Sequence, residues 1–102
     1  MLTVKIFVMA FWVYILRCSD GSYYTGHTDD LEKRLAEHDS GKIEGYTASR
    51  IPVKLVFTEV FSTRVEALSA ERQIKGWSRK KKEALIKRDW DEISRLARKK
   101  II

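Results

Sequence analysis

Two short segments of this 102-residue chain put charged or titratable side chains where a core should form. Successive residues of a helix stand about 100° apart around its axis. In "DLEKRLAEH", Asp30 to His38, Arg34 and His38 therefore fall within about 60° of Leu31. That is the face Leu31 and Leu35 should bury, while Glu32, Lys33 and Glu37 take the other side. In "ALSAERQI", Glu71 lies at i+4 from Ala67 and i−3 from Ile74, inside the apolar arc that these residues and Leu68 define. A guanidinium buried without a partner costs several kcal/mol, so something anionic must meet Arg34. Two answers fit. Arg34 and Glu71 could form a buried ion pair that staples two helices. Alternatively, the guanidinium holds a phosphate and the carboxylate a hard divalent cation such as Mg²⁺, which takes few carboxylates and completes its octahedron with water and phosphate oxygens.

These groups need a scaffold, and the flanking sequence supplies one. "FWVYILRC" is β-branched and aromatic, "SDGS" is a turn built on Asp20 and Gly21, and "YYTGH" resumes as a strand. Phe11 to His27 therefore reads as a β-hairpin, with Gly26 ending its second strand, where a glycine lets the backbone bend sharply or come close to another group. Trp12, Tyr14 and Leu16 share one strand face, and Tyr24 shares a face with Gly26. A tyrosine in a sheet is ordinarily core with its hydroxyl hydrogen-bonded, and a histidine placed like His27 is ordinarily on the surface. By themselves they separate nothing. Asp29 with Glu32 reads as a capping box, with Asp29 as the cap and Gly41 as the stop. "KIEGYTASRIP" is a loop, "VKLVFTEVF" (Val53 to Phe61) a third strand, and Thr63 with Glu66 a second cap opening a helix that runs through Ile74 toward Gly76. "SRKKKEALIKR" and "DWDEISRLARKK" are two further helical pieces, the last with Ile93 and Leu96 one turn apart. The order predicts an α/β chain, more closely an α+β sandwich: a small three-stranded antiparallel sheet flanked by helices.

Composition bounds the partners. At 44% apolar and 33% charged residues the chain reads as one globular domain, and the single Cys18 excludes an intrachain disulfide framework, which makes the cytoplasm the default compartment. "MLTVKIFVMAFWVYIL" is apolar but broken by Lys5 and ended by Arg17, short of the about 20 residues a membrane span needs. No small-residue cleavage site follows it. It reads as a leader feeding a strand, with no membrane role. "MAFWVYIL" begins cleanly at Met9, so Met1 and Met9 both stand as candidate starts. The net charge of +6 is uneven: Lys75 to Lys100 holds 11 basic and 4 acidic residues, a balance of +7. That field suits a polyanion, a solvated basic helix or tail being the plain alternative. Lys42, Arg50, Lys75, Arg79, Lys80, Lys81 and Lys82 are candidates for phosphate contact, and Trp77 for stacking on a base or for packing. No base-reading element is recognisable, so shape or structure preference is expected over sequence specificity.

Taken together, Tyr14 in "WVY", the "YTG" of Tyr24 to Gly26, "HTDDLEKRLAEH" and "EALSAERQIK" resemble the GIY-YIG nuclease superfamily. The likeness is to its small stand-alone members and, more loosely, to the N-terminal nuclease domain found in the repair excinuclease. It spans Phe11 to roughly Ile86. The resemblance implies a leader over residues 1–10, a nuclease domain over 11–86 and a basic C-terminal helix or tail over 87–102. It also implies roles. Tyr14 and Tyr24 match the motif tyrosines, one of which helps deprotonate the attacking water, and Gly26 matches the motif glycine. Arg34 matches the arginine that neutralises the scissile phosphate, and His38 a histidine one turn beyond it. His27 stands where relatives often carry a lysine or histidine near the nucleophile, and Glu71 matches the single metal-binding glutamate, for one Mg²⁺ or Mn²⁺. The implied activity is a metal-dependent, structure-selective endonuclease acting on DNA (or RNA) in repair or recombination, at the nucleoid in a bacterium, with a protein partner able to supply targeting. A nucleic-acid-binding module with little or no catalysis is the alternative. Three departures bear on it: Trp12 opens the first tripeptide, Thr25 stands in place of an aliphatic residue, and the chain has no asparagine, although relatives often carry one after the second helix.

Overall fold

The computed structural model describes residues 9–98; most of the expected leader, including the Met1 start, and residues 99–102 of the basic tail lie outside the described residues. Phe11–Arg17 (β1) and Tyr23–Thr28 (β2) form the expected hairpin. Its turn closes through Asp20, whose Oδ1 accepts from Ser22 N at 3.0 Å, and through Gly21 at φ 84°, a backbone region that suits glycine. Lys54–Phe61 (β3) pairs with the other edge of β1, so the antiparallel sheet runs β2-β1-β3. The register sets Tyr14 opposite Gly26, Val13 opposite His27, and Leu16 opposite Tyr24. Gly26 thus lies inside the ladder rather than at its end, and β2 continues to Thr28.

Four helices follow or interleave among the described residues: Leu31–Asp39 (α1), Arg64–Lys75 (α2), Arg79–Ile86 (α3) and Trp90–Arg98 (α4). The cap of α1 is Asp30, not Asp29. Thr28 Oγ1 accepts from Asp30 N at 3.1 Å and turns the chain, so that Asp30 Oδ1 receives Lys33 N at 3.2 Å. Asp29 faces outward to Arg64 Nη2 at 3.1 Å. Thr63 caps α2 as expected, accepting from Glu66 N at 3.2 Å, and Ser78 caps α3.

Strand alternation sorts β1 into two layers. Phe11, Val13 and Ile15 join Phe57 beneath Ala67 and Ile74 of α2 and Leu85 of α3, and this is the apolar core. Tyr14 and Leu16, equally buried, point the other way. Beside β3, Arg88 (φ 56°) follows α3 and its Nη2 donates to the Thr58 carbonyl at 3.1 Å.

Candidate active site

Tyr14 is the centre of the second layer. Its ring lies flat across Gly26: a Cβ on that residue would come within 2.6 Å of Tyr14 Cζ, so only glycine lets ring and strand approach this closely. The motif glycine is there for room, not for a turn. Beyond the ring, Tyr14 Oη stands 2.9 Å from His38 Nε2, and His38 Nδ1 stands 2.8 Å from Thr47 Oγ1. His38 and Thr47 are only 1% and 2% exposed, so these groups are satisfied by one another rather than by bulk solvent. Burial pushes the Tyr14 hydroxyl up to about 12, against the pull of the adjoining Arg34. Burial, with help from the Arg34 charge, pushes His38 below its ordinary value. Both are therefore uncharged at neutral pH.

α1 delivers Arg34 and His38 to this layer from one face, as its periodicity predicts, and His38 is the buried residue of that helix. The Arg34 guanidinium meets the Tyr14 oxygen, which raises its own pKa further. Its Nε is buried and has no hydrogen-bond partner. No ion pair joins Arg34 to Glu71 among the described residues, which removes the helix-staple explanation: Glu71 meets His27 and Lys75 instead. Tyr24 completes the cluster, its ring centroid 5.1 Å from His38 and 6.4 Å from Tyr14. Outward from it, Tyr46 stacks on Tyr24 at 6.2 Å.

Glu71 comes from α2 and is 8% exposed. Its Oε2 stands 3.3 Å from His27 Nδ1, without the alignment of a hydrogen bond, and its Oε1 stands 3.6 Å from Lys75 Nζ. No group of three or more His, Cys, Asp or Glu gathers here or elsewhere among the described residues, which excludes a cage of protein ligands for a soft metal. The donor set does fit a hard cation. A buried carboxylate, faced by the His27 imidazole at 3.3 Å and the Lys75 ammonium at 3.6 Å, offers the single oxygen donor that Mg²⁺ or Mn²⁺ takes beside water and phosphate. The Glu71 charge is also felt at Tyr14, where it favours the protonated phenol, so carboxylate, phenol and guanidinium belong to one neighbourhood.

The basic candidates divide. Lys42 is exposed in the loop after α1. Arg50 is committed to that loop: its Nε donates to Asp20 Oδ2 at 3.0 Å, its Nη1 donates to the Tyr46 carbonyl at 2.7 Å, and its guanidinium lies 3.9 Å over the Tyr46 ring. Lys75 stands 5.8 Å above the Tyr24 ring, within the cluster itself. Trp77 is half-buried, packs against the core and carries Lys81 Nζ 4.3 Å over its ring. Arg79, Lys80, Lys81 and Lys82 form the first turn of α3, adding their charge to the positive end of a helix. Of these, Arg79 also lies 4.5 Å over Tyr23. Sequence reasoning missed Thr47 and Tyr46, which sit in a loop with no period to mark them.

The family model described as the GIY-YIG catalytic domain matches residues 10–84. A UPF0213 protein of Bacillus pumilus is 49% identical over 75 residues, 74% of this chain and 76% of that protein. One of Halobacterium salinarum is 51% identical over 74 residues, 72% of this chain and 96% of its own length. The solution NMR structure of a UPF0213 protein from Bacillus halodurans matches at TM-score 0.52 with 47% identity, covering 78% of this chain and 84% of that one. A solution NMR structure of an E. faecalis protein matches at TM-score 0.55 with 44% identity, covering 76% and 83%. The three-stranded antiparallel sheet with its helices is thus a fold this chain shares with solved structures. Among the described residues no helix is long and apolar enough to cross a membrane.

Proposed function

The chain belongs to the GIY-YIG catalytic domain family, and from that premise we propose that it is a divalent-metal-dependent endonuclease that hydrolyses phosphodiester bonds in DNA, selecting structure over sequence, in repair or recombination. The observation that carries this reading is the unpartnered Nε of Arg34. Arg34 is held against Tyr14 with its Nε buried and unpartnered, and Glu71, the buried carboxylate of α2, is paired elsewhere. A buried donor left without an acceptor is costly, and a phosphate oxygen would satisfy it.

Hydrolysis needs a proton taken from water and a place for the charge that develops on phosphorus oxygens. Arg34 binds and neutralises a non-bridging oxygen. Tyr14 receives the proton of the attacking water; with its hydroxyl raised to about 12, a standing phenolate is scarce at neutral pH, so its own proton must leave as the new one arrives. His38, neutral and 2.9 Å away, is the group that can take it. Mg²⁺ or Mn²⁺ held by Glu71 supplies Lewis-acid stabilisation of the phosphate and of the leaving oxygen when bound. Lys75, on Glu71 and over Tyr24, and the first turn of α3 supply positive field for the strand.

The test is cleavage of labelled duplex, single-stranded and branched DNA with Mg²⁺ or Mn²⁺, wild type beside Glu71→Ala and Arg34→Ala. Cutting that needs metal and falls by about 10²-fold or more in both variants supports the endonuclease. Binding without cutting on every substrate and with both metals would replace it by a nucleic-acid-binding module on the same fold.

A further inference from the structure

We infer that Thr47 is a positioning residue of this site: its hydroxyl accepts the Nδ1–H of His38 and thereby keeps Nε2 as the lone-pair nitrogen that receives the Tyr14 proton. The catalytic consequence rests on the endonuclease reading; the tautomer assignment does not.

A neutral imidazole has one donor and one acceptor nitrogen, and its neighbours decide which is which. His38 has two neighbours, Tyr14 Oη at 2.9 Å on Nε2 and Thr47 Oγ1 at 2.8 Å on Nδ1. Both are hydroxyls, able to give or to accept, so the direction comes from what else surrounds them. Tyr14 Oη adjoins Arg34, and a guanidinium can only donate. The phenolic hydrogen is buried with its ring and needs an acceptor. Among the described residues His38 Nε2 is the acceptor within reach. Tyr14 O–H therefore donates to Nε2, the ring hydrogen resides on Nδ1, and Thr47 Oγ1 accepts it.

Thr47 can impose this because its own place is fixed independently. Arg50 N donates to the Thr47 carbonyl at 3.0 Å, Ser19 N donates to the Arg50 carbonyl at 2.9 Å, and the Arg50 side chain binds Asp20. The loop is thus tied to the β1–β2 turn, and the histidine ring is set from a frame that includes the strand bearing Tyr14. In the reaction the water proton goes to the Tyr14 oxygen while the Tyr14 proton goes to His38 Nε2. The resulting imidazolium keeps its Nδ1–H on Thr47 and returns the proton to solvent after product leaves.

Nitrogen-15 NMR of the imidazole, recorded on the free protein, reads the tautomer directly. The expected result is Nδ1–H in wild type and in Thr47→Ser, and a shift toward Nε2–H in Thr47→Val, which keeps the shape but offers no acceptor. DNA cleavage should fall about tenfold or more in Thr47→Val and recover in Thr47→Ser. Wild type in the Nε2–H form overturns the inference, as does a Thr47→Val protein that keeps both tautomer and rate. If Thr47→Val does not fold, the wild-type and Thr47→Ser spectra still decide. A wild type that cuts no DNA removes the endonuclease reading while the spectra settle the tautomer by themselves.

Discussion

Val13 and Ile15 point from β1 into carbon, under Ala67, Ile74 and Leu85. Tyr14, between them in sequence, points the opposite way into hydrogen-bonding groups: His38, Arg34 and, through the histidine, Thr47. Val13 and Ile15 on one side and Tyr14, His38 and Thr47 on the other are all buried, yet the two layers respond to change under different rules. In the carbon layer what counts is volume, so that similar side chains exchange at modest cost. In the polar layer every donor must keep an acceptor, and a single missing atom leaves a partner unsatisfied. Stability is concentrated in the first layer and specificity of geometry in the second.

Three experiments sharpen that contrast. The largest effect on folding is expected from Ile15→Ala, which opens a cavity in the carbon layer and should cost about 2–5 kcal/mol in denaturant unfolding. The signals of His38 and Thr47 should change little in the part that stays folded. A loss under about 1 kcal/mol, close to what a surface change gives, would mean the layers share their load. Next in size is Gly26→Ala, whose new methyl collides with the Tyr14 ring. It should cost about 1–3 kcal/mol as overpacking and abolish any activity that depends on Tyr14. An unaltered Tyr14 environment in its crystal structure or spectrum would show that the ring has somewhere else to go.

The smallest effect is confined to pH. His38 in the folded chain sits below its ordinary value of 6.5, burial being the main cause, while in the unfolded chain it titrates normally. As pH falls through about 6.5 the unfolded state gains a proton that the folded state refuses, so stability declines until pH passes below the folded value. Urea unfolding between about pH 7 and pH 5 should show this slope, at most one proton's worth, and His38→Gln should flatten it. A slope unchanged in that variant would place the titration elsewhere.

How much of this was legible beforehand differs by element. Arg34, His38 and Glu71 stood out because a helix repeats its faces at a known period, so a charge on the apolar side contradicts its neighbours. The strands were legible from β-branched and aromatic runs. Gly26 reads from sequence as a strand end where the backbone bends or comes close to another group, and sequence does not choose between the two. Its real constraint is a ring from another strand, set by register. The α1 cap slipped by one residue because Asp29 and Asp30 are chemically equal until Thr28 turns the chain. Thr47 and Tyr46 were out of reach, since a loop has no period and their partners lie on α1 and β2. Arg50 looked free in sequence for a similar reason: its carboxylate, Asp20, is 30 residues away.

Among the described residues no strand pairs with the outer side of β3, and an outer strand offers unspent backbone acceptors to any extended segment that drifts past. Arg88 has already claimed one of them, the Thr58 carbonyl. A guanidinium parked there leaves one acceptor fewer for a second extended chain to find.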